Sequence, residues 1–347
     1  MTKRIGINGF GRIGRAIFRI AQADRDISIC CINDIQSNLA NHAYLLKYDS
    51  IYGKFSGNVG FDEDDSSIMV DLKSIPFYSK ENIVDVPWSS HGVDIVVDSS
   101  GISTNFVSAR RIVDSGVAEG VIITQIAEGF VDGTWVHGVE NGFSPGKGGI
   151  VSSSICDAVA ISPVLEILHE HYGLKSGFVT TLHPWLNYQN LLDGTVSSIS
   201  SPSHSWEDFG LARASTSSLI PKETRLIDAL RHISPELAGK IQAASFRVPT
   251  AAVTAADMTL VMEKDISTKE IVRIFSHESQ KRRPVIGFSE EFLVSIDFLK
   301  IEKPVVDSRW IRVNDKRNLK LLIWYDNEWT YSWKVMELIR SMGNGQI

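Results

Sequence analysis

The segment Gly9-Phe10-Gly11-Arg12-Ile13-Gly14 narrows more than any other what this chain can fold into. Glycines at G-x-G-x-x-G spacing are a weak signal alone. Here a short apolar strand pattern, Ile5 to Asn8, runs into them, and a helical pattern, Arg12 to Ala23, leaves them with Ile13, Ala16, Ile17 and Ile20 on one face. Asp34 stands twenty residues past the last glycine, just after a second apolar run, Ile27 to Ile32. Strand, glycine turn, helix, strand and carboxylate in that order predict a dinucleotide site. Gly9 permits the tight turn, Gly11 lets backbone approach a pyrophosphate, and Gly14 lets helix and strand pack closely. The helix start, with Phe10, Arg12 and Ile13 in the same cradle, supplies N–H donors and positive potential. Asp34 is expected to accept from the adenosine ribose. The next basic residue is Lys47, so no Arg stands nearby in sequence to welcome a 2′-phosphate, and NAD is expected rather than NADP. The plainer reading, glycines that only shape a βα turn, leaves the coincidence of strand, helix and carboxylate unexplained.

Leu39 to Leu46 reads as helix, Val93 to Val97 and Val121 to Thr124 as buried parallel strands, and Ile51 to Ser79 as a strand-rich stretch. With 347 residues, the chain is long for one core and suits two domains. After the Pro/Gly-rich segment Asn141 to Gly149 comes a strand, Gly149 to Ser152, then a helix, Asp157 to Tyr172, which puts the domain junction near Ser152 to Ser154. Beyond it, Gly177 to His183, Lys240 to Val248, Thr254 to Met262 and Lys320 to Trp324 read as alternating strands, and Thr224 to Arg231 and Thr268 to Arg282 as helices. The fold class is therefore α/β: a Rossmann domain followed by an α+β domain on a mostly antiparallel sheet. Thr195 to His204, rich in Ser, reads as a loop.

Thirty-five Lys and Arg against 41 Asp and Glu give a net charge of −6, which offers no broad footprint for nucleic acid. No apolar run approaches the roughly 20 residues of a membrane span, and the first residues lack a signal-peptide pattern. Of three cysteines, Cys30 and Cys31 are neighbours and unsuited to an ordinary mutual disulfide. A cytoplasmic location is expected.

Cys156 falls between a strand and the helix after it. A helix N-terminus lowers a thiol's pKa toward thiolate, so Cys156 is a candidate nucleophile. Cys30 and Cys31 lie inside a strand and read as packing residues. His183 ends an apolar strand in the same domain as Cys156, where it could act as a base. On these residues alone, a buried thiol and a satisfied histidine remain equally good readings. His169-Glu170-His171 does not present two donors on one helix face, and no metal site is expected.

Taken together, these segments resemble the glyceraldehyde-3-phosphate dehydrogenase family along nearly the whole chain. The resemblance runs through Ile5 to Arg15, Asn33-Asp34, Leu45 to Ser50, Thr180 to His183, Phe246 to Thr250 and Trp324 to Trp329, in order. It implies that residues 1–154 and 327–347 form the NAD-binding Rossmann domain, with a returning C-terminal helix, and 155–326 the catalytic domain. Cys156 matches the catalytic thiol, His183 the catalytic base and Asn327 the side chain that fixes the nicotinamide amide. The implied chemistry is NAD-dependent oxidation of a small aldehyde through a hemithioacetal and a thioester, in a homotetramer.

The sequence departs from the family around its anion sites. The family has Ser before its cysteine and Thr-Thr-Asn after it; here Ile155 precedes Cys156, and Asp157-Ala158-Val159 follow. Leu186 and Tyr188 stand where the family has Thr and another polar residue, and Thr224-Arg225 replaces Thr-Gly. Thr224 and Arg247 remain of the phosphate-holding set, with Arg225 as a new cation and Asp157 as a new anion. A carboxylate about 4 Å from a phosphate oxygen, at an effective dielectric of roughly 20, opposes it by about 4 kcal/mol per unit charge. Arg225 paired with Asp157 would cancel part of this. An altered substrate or a non-phosphate acceptor is therefore expected. The alternatives are a phosphorylating enzyme with a rearranged anion site, and a regulatory NAD-binding paralogue.

Overall fold

Short runs of Val and Ile with no polar face build strands covered on both sides. In the computed structural model, which describes residues 2–146, 148–195, 197–198, 201–205 and 208–342, such runs form the middle of a nine-stranded sheet. Its order is Gly133–Thr134, Gly149–Ser152, Gly120–Ile123, Ile95–Asp98, Lys3–Asn8, Ile27–Asn33, Lys73–Tyr78, Ser67–Val70 and Val59–Asp62. Pairing is parallel as far as Lys73–Tyr78, and the last two strands add an antiparallel edge. From Lys3–Asn8 the chain passes to one side for Ile27–Asn33 and to the other for Ile95–Asp98. That reversal opens a crevice at the C-terminal strand ends.

Contacts divide the chain into two units: the residues up to Ile155 with those from Tyr331 onward, and Cys156–Thr330. In the first, Trp88 lies fully buried in an apolar cluster with Val93, Val96, Phe106 and Ile112, and its indole N–H donates to Ile83 O at 2.8 Å. Its polar edge is thereby satisfied inside the core.

The second unit is built on an eight-stranded sheet. Its main order is Ile220–Lys222, Ile241–Val248, Leu174–Pro184, Thr254–Met262, Asn318–Tyr325, Val305–Asp307 and Gly287–Ser289, with Arg312–Asn314 beside Asn318–Tyr325. Leu174–Pro184 pairs parallel with Ile241–Val248, and Val305–Asp307 with Gly287–Ser289; the other pairs are antiparallel. The helix Cys156–Tyr172 is buried on most faces, with Ala158, Ile161, Val164, Leu165 and Leu168 inaccessible.

Three sequence expectations need adjustment. The helix expected from Asp157 starts at Cys156 itself. The helix expected from Thr224 starts at Leu226, because Thr224 Oγ1 accepts the Leu226 N–H at 3.2 Å and holds the preceding turn outside the helix. Within the Ser-rich segment, Ser197–Ser198 and Ser201–Ser205 pair as an antiparallel ribbon rather than a loop, and residues 196, 199 and 200 lie outside the described residues.

Candidate active site

Three strand ends at the crevice of the first sheet are pinned by buried amides. Asn8 Nδ2 donates to Asp98 Oδ1 at 2.8 Å, Asn33 Nδ2 to Asn8 Oδ1 at 2.7 Å, and Asn105 Nδ2 to Asp98 Oδ2 at 3.1 Å. The glycine turn leaves from this fixed edge. Gly9 has φ +88°, and a Cβ there would meet Ser100 N at 2.5 Å; a Cβ at Gly14 would meet Gly9 O at 2.2 Å. Both positions require glycine.

Gly11 differs, since a Cβ there would meet nothing within 4 Å. It is the N-cap of the helix Arg12–Ala21 and has no capping side chain, which leaves first-turn N–H groups beside open space. This cradle fits a pyrophosphate. Asp34 is held by the N–H groups of Phe10, at 2.7 Å, and Gln36, at 2.9 Å, with lone pairs remaining for a ribose. Phe10 itself is core, packed on Phe18, and Ile13 is half-buried, so their contribution to the cradle is backbone. The Arg12 guanidinium pairs with Asp49 at 2.5 Å and lies over the Tyr52 ring, which braces the helix start. Lys80, which sequence distance concealed, joins Asn33 through its backbone and stands at the same corner.

In the second unit, strand alternation brings the other candidates to one end of the sheet. Gly177, Val179, Thr181 and His183 face inward along the central strand, and Arg247 on the parallel neighbour is paired in register with His183. The start of Cys156–Tyr172 sets Cys156 Sγ 3.7 Å from His183 Nε2 and 3.6 Å from Asp157 Oδ1. His183 Nδ1 lies 2.8 Å from Pro184 O. A carbonyl only accepts, so Nδ1 carries the proton and Nε2 turns its lone pair to the thiol. His183 and Asp157 are buried, while Cys156 keeps partial access.

The electrostatics correct one expectation. A helix N-terminus alone favours thiolate, but burial, and then the Asp157 carboxylate, push the Cys156 thiol well above its ordinary range, with Arg247 opposing them. Burial, aided by Arg247, pulls His183 down to about 4. At neutral pH the resting pair is thiol and neutral imidazole. Cys31, buried in a strand, is pushed up to about 12, and Cys30 is raised by burial as well, in keeping with packing roles.

The Arg225–Asp157 pair is not formed. Arg225 is exposed at the start of Leu226–Ile233, and Asp157 instead accepts from Tyr325 OH at 2.7 Å and Thr224 Oγ1 at 3.4 Å. Arg247 is buried, yet its Nε and Nη1 find no acceptor among the described residues. Buried guanidinium nitrogens without partners suit an anionic ligand. Tyr188 lies close enough to Arg247, and Lys222 to both Arg247 and Asp157, to feel their charges. Asn327 is buried with Oδ1 unpartnered among the described residues, so it can accept from a carboxamide N–H, as a nicotinamide would present. Lys222 and Tyr325 were not singled out from the sequence, and Tyr188 was noted only as a departure from the family's anion site. Of these, Tyr325 was within reach, since it ends a strand whose alternate residues, Leu319, Leu321 and Ile323, all face inward.

Residues 3–106 match the family described as glyceraldehyde 3-phosphate dehydrogenase, NAD binding domain, and residues 155–327 its C-terminal domain. The glyceraldehyde-3-phosphate dehydrogenase of Wickerhamomyces ciferrii is 35% identical over 345 residues, covering 98% of each chain. Glyceraldehyde-3-phosphate dehydrogenase 3 of Saccharomyces cerevisiae is 34% identical over 339 residues, 97% of this chain and 98% of that one. A chloroplastic glyceraldehyde-3-phosphate dehydrogenase of Arabidopsis thaliana is 33% identical over 342 residues, 98% of this chain and 78% of the plant protein. With two family domains matched in order on a cradle that fits the dinucleotide, the chain belongs to the glyceraldehyde-3-phosphate dehydrogenase family, as an oxidoreductase whose cofactor is NAD.

Proposed function

We propose that this protein oxidises a small anionic aldehyde through a thioester on Cys156, and that the thioester is released to water or another nucleophile rather than to inorganic phosphate. The observation that carries this reading is Asp157, whose Oδ1 stands 3.6 Å from the reacting sulfur. The Thr224 hydroxyl, a phosphate donor in the family pattern, is engaged with the same carboxylate. A phosphate approaching the acyl carbon would meet a fixed negative charge.

In this mechanism Cys156 Sγ attacks the aldehyde carbon, and His183 Nε2 relays the thiol proton to the new oxygen, giving a neutral hemithioacetal. The cradle of Gly9 to Gly14 with Asp34 would hold NAD, which would supply the hydride acceptor for that carbon. His183 takes the hydroxyl proton in the same step, leaving the thioester on sulfur. Arg247 holds the substrate's anionic group, with Arg225 as a second cation toward solvent. Asp157 orients the attacking water, and Asn327 fixes the nicotinamide amide. A panel of phosphorylated, carboxylated and neutral aldehydes read by NADH absorbance tests this. Anionic aldehydes are expected to turn over best, and a panel with no turnover contradicts the reading in favour of a regulatory paralogue.

NAD is expected to bind at least about tenfold more tightly than NADP, because a 2′-phosphate beside the Asp34 carboxylate meets like charge. Asp34→Ala narrows the gap. Equal affinities of the parent protein by calorimetry would contradict this role of Asp34.

Residues 1–154 with 327–347 serve as the NAD-binding domain and 155–326 as the catalytic domain in this account. A homotetramer in the cytoplasm completes it. Exposed Phe178 and Leu182 on the outer face of the central strand support assembly, and among the described residues no helix is long and apolar enough to cross a membrane. Sedimentation at micromolar concentration showing only a 38.5 kDa species would contradict the tetramer.

A further inference from the structure

Asp157 brings a third metal-binding donor to a place where the family pattern has a Thr. The sulfur of Cys156, a carboxylate oxygen of Asp157 and a ring nitrogen of His183 lie within 4.8 Å of one another. Two edges of that triangle are 3.7 Å, sulfur to nitrogen, and 3.6 Å, sulfur to oxygen. In a tetrahedral zinc centre, with Zn–S of about 2.3 Å and Zn–N or Zn–O of about 2.1 Å, neighbouring donors sit roughly 3.5 Å apart. The two sulfur edges are already near that spacing.

The surroundings match what a bound cation needs. His183 directs its Nδ1–H to the Pro184 carbonyl at 2.8 Å, an arrangement that leaves Nε2 as the ligand atom. Asp157 is oriented by the Tyr325 and Thr224 hydroxyls, at 2.7 Å and 3.4 Å. Asp157 and His183 are buried, whereas Cys156 is partly exposed and gives an entry path. A sulfur, nitrogen and oxygen set favours Zn²⁺ over the hard cations Mg²⁺ and Ca²⁺. One thiolate and one carboxylate neutralise a dication, so the centre carries no net charge against the nearby Arg247.

We propose that Cys156, Asp157 and His183 form a three-donor Zn²⁺ site whose occupancy withdraws the thiol from catalysis. Binding transfers the thiol proton to solvent and forms a metal–sulfur bond, leaving the fourth position for water. No electron changes hands. Binding stands on the geometry alone, and only its inhibitory consequence rests on the proposed aldehyde reaction.

The full-length, reduced chain is titrated with Co²⁺, whose thiolate charge-transfer absorption reports sulfur ligation, and Zn²⁺ is then added as competitor. The expected result is one Co²⁺ per chain with that absorption, displaced by Zn²⁺, lost in Cys156→Ala, and weakened at least about tenfold in Asp157→Asn. Tyr325→Phe, which leaves all three ligands and removes one orienting bond, is expected to weaken binding by about 10- to 100-fold. Circular dichroism and NAD binding verify that each variant is folded, and Tyr325→Phe carries the test if Asp157→Asn is not. No thiolate absorption, absorption that survives Cys156→Ala, or unchanged affinity in the folded Asp157 and Tyr325 variants would overturn the site. A chain that binds Co²⁺ but oxidises no aldehyde keeps the site and removes the functional reading. A chain that oxidises aldehyde but binds no Co²⁺ does the reverse.

Discussion

Cys156→Ala is expected to abolish NADH formation from every aldehyde the parent oxidises, while NAD affinity stays within about twofold. The hemithioacetal and thioester both need a bond to Sγ, and no other thiol can substitute. Cys30 and Cys31 belong to a strand of the other unit, and burial raises both thiols, Cys31 to about 12. The cofactor cradle is made by residues 9–14 and Asp34, which belong to a different unit from Cys156. Stopped-time absorbance for turnover and calorimetry for NAD separate the two effects. Residual turnover above about one thousandth of the parent rate would remove covalent catalysis from the account, since loss of a nucleophile commonly costs far more.

The second large effect belongs to His183. His183→Ala is expected to slow NADH formation by about 10²- to 10⁴-fold, the usual range for a lost general base. The side chain is effective as neutral imidazole, with Nε2 3.7 Å from the sulfur. Burial and Arg247 depress its pKa to about 4, so the charged form is the disfavoured one. Activity should therefore persist as pH falls through about 6.5, the ordinary histidine value, and decline only toward about 4, where His183 takes up a proton. The same shift bears on stability. Between these values the unfolded chain binds the proton more readily than the folded one, so stability falls as pH is lowered through that window. An imidazole inflection near pH 6.5 that disappears in His183→Ala would contradict the depressed value.

How far the sequence could be read depended on whether the cause of a feature was local. The Rossmann unit was legible because each of its requirements lies within a few residues: Gly9 for its turn, Gly14 for its contact with Gly9 O, and Asp34 at the end of the next strand. The placement of Cys156 at a helix start and of His183 near a strand end was legible because both marks are local. The charge state of the thiol was not, because it is decided by burial and by partners far along the chain. Tyr325 meets Asp157 across 168 positions and Thr224 meets it across 67, and neither contact leaves a periodic trace. The proposed Arg225–Asp157 pair failed for the same reason, since the carboxylate is instead engaged by those two hydroxyls and Arg225 is exposed. Lys222 and Tyr188 gather around Arg247 only because the sheet lays Ile220–Lys222 beside Ile241–Val248 and the chain turns back after His183.

The acceptor that cleaves the thioester decides which reaction the proposed chemistry completes. In the proposed reaction a carboxylate at 3.6 Å from sulfur, held by Tyr325, would oppose inorganic phosphate by an amount on the order of 4 kcal/mol at an effective dielectric of about 20. The most direct measurement is the rate of NADH formation from the best aldehyde as inorganic phosphate is raised from zero, with the acyl product identified at each concentration. The predicted result is a rate that changes less than about twofold, with a carboxylate or other non-phosphorylated acyl product throughout. A saturable, many-fold rise accompanied by an acyl phosphate would contradict the account and show that Arg247, Lys222 and Arg225 hold phosphate despite Asp157.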